Sequence, residues 1–340
     1  MKLAMLMLAC LLPAATMIAG SGNRTGTNGA SELLIPIGTR DIAMGGSTVA
    51  LTSGPEALFW NPAGIAGSQR AVTLFASHMN YIADIGVECA SVAVDFTDFG
   101  VMALQLKALS IGEIPLTTAN TPDGSGQTFS PQFFTLGLTY GRQLTDRIRV
   151  GGTVSLISER MAEVSAAGIA FDMGVIYNDL ANLSGLSFGV VVKNIGPQMR
   201  FEGPGLNIAA TASGLERSEF YYSVEAASFE LPSTIELGVG YRTTFDDENT
   251  LILGAAFQNN NFTDDAYRFG FEYGFQNLLF TRGGYDYSPP TMDERENIYG
   301  PSLGVGIHAT VGNMDVTFDY AYRSVKFFDG NQVLSVKIGL

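Results

Sequence analysis

The stretch Met314-Asp315-Val316-Thr317-Phe318-Asp319-Tyr320-Ala321-Tyr322-Arg323 alternates without a break. In an extended chain successive side chains point to opposite faces. Met314, Val316, Phe318, Tyr320 and Tyr322 therefore share one face, and Asp315, Thr317, Asp319, Ala321 and Arg323 the other. Residues 267–275 repeat the pattern, with Tyr267, Phe269, Phe271, Tyr273 and Phe275 against Arg268, Gly270, Glu272 and Gly274. So do Ile235, Leu237, Val239 and Tyr241 against Glu236, Gly238, Gly240 and Arg242, and Leu303, Val305 and Ile307 against Gly304, Gly306 and His308. A soluble sandwich also alternates, but it needs large apolar volume inside and charge outside. Here the second face is mostly glycine with scattered acids and arginines, which leaves a soluble core little to bury. A membrane barrel inverts the arrangement: the apolar face meets lipid, and the small and polar face lines a lumen.

Working outward from these segments, strands are expected near 71–80, 86–96, 99–109, 132–142, 147–158, 166–178 and 184–195, then near 233–242, 250–259, 266–275, 278–287, 301–310, 313–323 and 331–340. The expected fold is all-β, a transmembrane antiparallel β-barrel of about fourteen strands with an N-terminal hatch segment in the lumen. Every second connection is short, around 97–98, 143–146, 179–183, 243–249, 276–277 and 311–312. The alternate set contains the long loops, near 110–131, 196–232 and 288–300, which are expected outside the cell. The last segment, NQVLSVKIGL, places Leu334, Val336, Ile338 and Leu340 on one face, as a closing strand would.

Composition agrees. The 340 residues are 46% hydrophobic and only 15% charged, with 40 glycines and 22 phenylalanines, less charge than a water-facing surface usually carries. After residue 20 no run of about eighteen apolar residues occurs, so a barrel is the remaining way to cross a bilayer. A formal net charge of −14 argues against nucleic acid as a partner. Residues 1–20, MKLAMLMLACLLPAATMIAG, have Lys2, an apolar core broken by Pro13, and small residues from Ala19 to Gly22, the expected signal peptide with cleavage near 19–22. Cys10 raises a lipoprotein alternative, but the apolar stretch before it is very short and Met7 stands where leucine is favoured. With the signal removed only Cys89 remains, so no intrachain disulfide is expected. The division expected is 1–20 signal peptide, 21–70 N-terminal segment and hatch, and 71–340 barrel.

Residues 35–67 do not fit the strand pattern. Gly38-Thr39-Arg40-Asp41-Ile42-Ala43-Met44-Gly45-Gly46-Ser47 is followed by Glu56-Ala57-Leu58-Phe59-Trp60-Asn61-Pro62-Ala63-Gly64-Ile65, with Gly45-Gly46 and Asn61-Pro62 as turn signals. These two blocks resemble the N-terminal signature of the PorV/PorQ family of outer-membrane proteins, within the FadL-like superfamily. The NPAG block is shared with the FadL branch, and the GxRxxxMGG block leans toward PorV/PorQ. The resemblance implies a fourteen-stranded barrel of the Gram-negative outer membrane whose N-terminal segment folds into the lumen as a hatch. It implies a PorV-type accessory that shuttles exported cargo proteins in the type IX secretion system. The alternative is a FadL-like transporter of long-chain fatty acids or other hydrophobic compounds, which the motif does not separate from the first. The partners expected are membrane lipid, together with either secretion-system components and cargo or a hydrophobic small molecule.

No P-loop, dinucleotide fingerprint or nucleophile elbow occurs, and His78 and His308 lie in different strands without a third ligand, so no enzyme, cofactor or metal centre is expected. Arg147, Arg149, Arg242, Arg268 and Arg323 are read as lumen-facing partners of Glu236, Glu272, Asp315 and Asp319, more a structural lining than a filter. The turn acids Asp246, Asp247, Asp264 and Asp265 read as solvated turns rather than a calcium site. Two groups of residues are candidates for contact. Phe59, Trp60, Asn61 and Pro62 sit in the hatch rather than in an aromatic girdle, so they either pack the hatch or touch an apolar ligand. Met199, Phe201, Phe220, Tyr221 and Tyr222, with Leu206, load the 196–232 loop with apolar groups expected to form an exposed contact surface.

Overall fold

The computed structural model describes residues 27–68, 70–118, 120–210, 220–246, 248–289 and 297–340, and of Phe220 the backbone only. The expected signal peptide lies outside the described residues. In chain order the strands are β1 (Val72–Asn80), β2 (Gly86–Asp95), β3 (Val101–Ser110), β4 (Ile114–Pro115), β5 (Thr128–Phe129), β6 (Gln132–Gln143), β7 (Ile148–Met161), β8 (Val164–Tyr177) and β9 (Leu186–Ile195). They continue as β10 (Asn207–Ala210), β11 (Phe220–Ser223), β12 (Thr234–Thr244), β13 (Asn249–Asn260), β14 (Ala266–Phe275), β15 (Leu279–Tyr287), β16 (Tyr299–Val311), β17 (Met314–Val325) and β18 (Asn331–Gly339).

Fourteen of these close into one barrel in the order β1-β18-β17-β16-β15-β14-β13-β12-β9-β8-β7-β6-β3-β2. The first and last strands seal it antiparallel, with Thr73 opposite Gly339 and Asn80 opposite Gln332. Closure leaves no unpaired sheet edge, which a bilayer would penalise by several kcal/mol per lost hydrogen bond. The two pairs left over, β4-β5 and β10-β11, are small hairpins inside the long loops. The barrel strands follow the expected windows to within a few residues, whereas these hairpins are too short to show a period.

The faces divide as the alternation requires. Leu303 (63% exposed), Phe318 (56%) and Leu334 (56%) point out, while Ser302, Asp319 and Ser335 beside them are buried. About ten residues rising ~3.3 Å each, tilted about 40°, give an apolar belt roughly 25 Å tall, the height of a membrane's hydrocarbon layer. All the connections at one end are short: 96–100, 144–147, 178–185, 245–248, 276–278 and 312–313. Gln276 and Asn277 both take left-handed backbone (φ 53° and 50°), the geometry that lets two residues reverse a twisted hairpin. The opposite end carries 111–131, 196–233 and 288–298.

Residues 31–67 run inside this wall. They form a 3-10 turn at Ser31–Leu34, helix α1 (Thr39–Ala43), a turn at Gly54–Glu56, helix α2 (Ala57–Trp60) and a turn at Pro62–Gly67. Helices of four or five residues do not hold themselves together in water, so the wall must supply their stability.

Candidate functional site

The hatch is seated on glycine. A Cβ added to Gly304 on β16 would come under 3.0 Å from Ala43, and one at Gly284 on β15 or Gly270 on β14 equally close to Met44. The same holds for Gly254 on β13 against Ser47, and for Gly238 on β12 and Gly189 on β9 against Val49. It holds again for Gly174 on β8 against Asn61, Gly151 on β7 against Pro62, and Gly141 on β6 against Ile65. Nine neighbouring strands thus each give up one side chain, in the order in which the hatch passes them. Gly45 and Gly46, both at positive φ (65° and 75°), turn the chain against β15 after α1. The glycine face that argued against a soluble core is therefore the mould of the hatch.

Charge fastens the other side. Arg40 donates from Nε to Glu272 Oε2 (2.7 Å) and from Nη2 to Oε1 (3.1 Å), a two-pronged contact from hatch to wall. Arg282 joins Glu272 (2.6 Å) to Asp319 (2.5 Å) behind it. Lys337 on β18 reaches Glu56 Oε2 at 3.0 Å. Burial alone would raise the Glu56 carboxyl, but the charges of Lys337 and Arg40 hold it below its ordinary range. Asp41 has no such bridge from the wall: burial, and then the Glu56 charge, push it up to about 7.

The expected lumen pairs are only partly formed. Arg268 meets Glu236 (3.2 Å) and Asp286 (3.2 Å). Arg282 and Lys193, which carry much of the network, were not among the residues expected. Among the described residues Arg323 meets no carboxylate; it donates to Asn331 Oδ1 (2.8 Å) and lies 3.9 Å over the Tyr299 ring. Asp315 pairs instead with Arg70 (2.6 Å). Arg147 is exposed in the turn before β7 and donates to Asn182, so it does not line the lumen. These partners are set by which residues fall opposite across two or three strands, which alternation alone does not give.

Phe59 and Trp60 pack edge to face, with centroids 5.1 Å apart. Trp60 is buried and its indole N–H donates to Ile37 O (2.9 Å). Lys193 sits 4.5 Å from the Phe59 ring and Arg268 5.6 Å from that of Trp60, while Lys193 also binds Glu236 (2.6 Å). Asn61 accepts from Ala63 N and donates to Val49 O (2.9 Å) and Val175 O (3.3 Å), stapling α2 to β8. Pro62 lies against Gly151. The two aromatic rings border a cavity of about 70 Å³ that also touches Ile42 and Ser302. A wider vestibule of about 440 Å³ at the long-loop end shares Leu34, Gln258, Arg268, Asp286 and Tyr299 with it.

The 196–232 loop departs from expectation. Met199 is 1% exposed: it pairs with Phe229 through both backbone hydrogen bonds (2.9 and 2.8 Å) and packs with Leu33, Ile157 and Leu231. Phe201 stacks on Phe229 at 5.5 Å. These two residues cap the barrel mouth instead of facing a partner, because the Met199–Phe229 bridge folds the loop back over the hatch. Tyr221 (78% exposed) and Tyr222 (45%) do face out, from the β10-β11 hairpin. The Phe220 side chain lies outside the described residues. His78 pairs with Glu88 (2.5 Å) on the outer surface, and His308 with Thr317 (3.1 Å) in the lumen.

No protein-family model matches the chain, and no curated protein matches it. Solved structures share the fold. The Ralstonia pickettii toluene transporter TbuX is 13% identical, with a TM-score of 0.56 over 90% of this chain and 98% of its own. The Pseudomonas putida toluene transporter TodX is 12% identical, with a TM-score of 0.55 over 90% and 99%. The CymD monoaromatic hydrocarbon channel is 14% identical, with a TM-score of 0.53 over 90% and 97%. At such identities the likeness is one of architecture alone.

Proposed function

We propose that this chain is a conduit for hydrophobic small molecules in a Gram-negative outer membrane, with residues 31–67 as its gate. The observation that carries the reading is the Phe59–Trp60 pair, held on the hatch at a cavity that continues into the vestibule at the long-loop end. That end faces the cell exterior, as loop length indicates. A compound with an apolar body reaches the aromatic face from the vestibule and passes when the hatch shifts along its glycine track. Neighbours of the same fold are named for toluene and monoaromatic hydrocarbon transport, which supports this reading over a secretion shuttle. In the test, Trp60→Ala is scored for uptake of a radiolabelled hydrophobic compound by cells and for heat-modifiable migration as a mark of barrel assembly. Uptake is expected to change several-fold with assembly intact. Unchanged uptake with an assembled barrel would sink the conduit.

The type IX shuttle keeps one observation in its favour, the outward Tyr221 and Tyr222 beside exposed Ile208 and Val224. Exposed aromatics at a loop tip suit a protein contact. Under that reading Tyr221→Ser/Tyr222→Ser abolishes co-purification of exported cargo, and uptake is untouched.

A further inference from the structure

Two arginines at the short-turn end stand outside the ion-pair network. Arg149 on β7 and Arg242 on β12 line one cavity of about 260 Å³, together with Thr52 and Ser53 of the hatch and Asn178 and Ser187 of the wall. Among the described residues neither guanidinium makes an ion pair or a side-chain hydrogen bond, and Arg149 Nε is buried without an acceptor. Two acceptors on the lining are partly occupied. Asp179, its only carboxylate, takes the Gly185 amide through Oδ1 (2.8 Å), and Asn178 Oδ1 takes the Ser187 hydroxyl (3.1 Å). Arg149 is half-buried and Arg242 is open to solvent; two like charges in one recess repel, and an anion bound between them offsets that repulsion.

We propose that this recess is an oxyanion site, taking a carboxylate or phosphate group between Arg149 and Arg242. Both groups match the planar fork of a guanidinium, and both offer more lone pairs than hydrogens, the complement of this lining. Because Thr52 and Ser53 belong to the hatch while both arginines belong to the wall, a bound anion ties the gate to the barrel on the side where no other salt bridge does. The site is thus a ligand-dependent latch, and it does not depend on which compound crosses the membrane.

The experiment uses the full-length protein in detergent, titrated by calorimetry with inorganic phosphate and, separately, with benzoate at constant ionic strength. Saturable one-to-one binding of at least one probe is expected. Arg149→Gln and Arg242→Gln should each weaken it at least tenfold, while Arg147→Gln in the neighbouring turn leaves it unchanged. Phosphate alone identifies a phosphate group, benzoate alone a carboxylate, and both a general oxyanion site. Hydrogen exchange of the wild-type protein needs no variant: amides of residues 49–54 should slow severalfold when the binding probe is added. Neither probe binding, binding retained in the double variant, or exchange at 49–54 unmoved by a bound probe would overturn the assignment. Transport plays no part in any of these readouts, so a failure here leaves the conduit reading standing.

Discussion

Glycine underlies the hatch from β16 round to β6, but among the described residues its ion pairs to the wall fall on one side only. Toward β14, β15, β17 and β18 it is held through Arg40–Glu272 and Glu56–Lys337. Toward β6 to β9 it has glycine under Val49, Asn61, Pro62 and Ile65, with the Asn61 amide as its main polar tie. A charge contact is lost by one protonation or one isosteric replacement. A fitted contact is lost only by adding atoms. If the hatch moves as proposed, the charged side is the one expected to open and the fitted side the one about which it turns.

The strongest way to break that contrast is Lys337→Met. It leaves the Glu56 carboxylate, 2% exposed, without its wall partner; unpairing a buried ion costs on the order of 3 kcal/mol. Hydrogen exchange should rise at residues 38–58 and hold steady at 60–66, and a uniform rise across the hatch would erase the distinction. Next comes Gly174→Val, which places carbon where Asn61 Oδ1 lies. Overpacking of that kind costs about 1–3 kcal/mol and should expose the 60–66 segment to limited proteolysis. Gly152→Val is the control, since a Cβ there meets only Asp172 O at 3.5 Å. A hatch equally protected in both variants refutes the role of shape.

The smallest effect is in pH. Asp41 holds its proton up to about 7, far above an ordinary aspartate, so the folded hatch favours the protonated form. Its contribution is complete below about pH 4 and is lost as pH rises toward 7; between pH 6 and 8 the remaining change is on the order of 1 kcal/mol. Protection at α1, corrected for intrinsic exchange, should fall over that range in the wild type. It should stay level in Asp41→Asn.

Alternation at Met314–Arg323 and its repeats was enough to read the strands, their inward faces and the parity of the loops, because a period of two is a local property of the chain. The hatch was legible as a break in that period. The cap was not: Met199 reads as an exposed loop methionine until its bridge to Phe229 is known. The inward glycines are legible as a lining too small to fill a core, but which of them the hatch rests on is set by the path of residues 43–65 across the strands. The importance of Arg282 and Lys193 is not legible in the sequence, because it lies in the registers that set them beside Glu272 and Glu236. Arg149 and Arg242 are legible as inward-facing arginines, but among the described residues the carboxylates expected beside them pair elsewhere.

Lys337 has a further consequence, for the order in which the molecule is made. It stands on β18, the last strand to emerge, and it grips Glu56, among the first residues of the folded chain to emerge. The strand that seals the seam against β1 is thus also the one that brings the hatch its counter-charge. Until the barrel is shut, the hatch lacks one of the two salt bridges that, among the described residues, tie it to the wall; sealing the seam and completing the hatch's anchorage fall to the same strand.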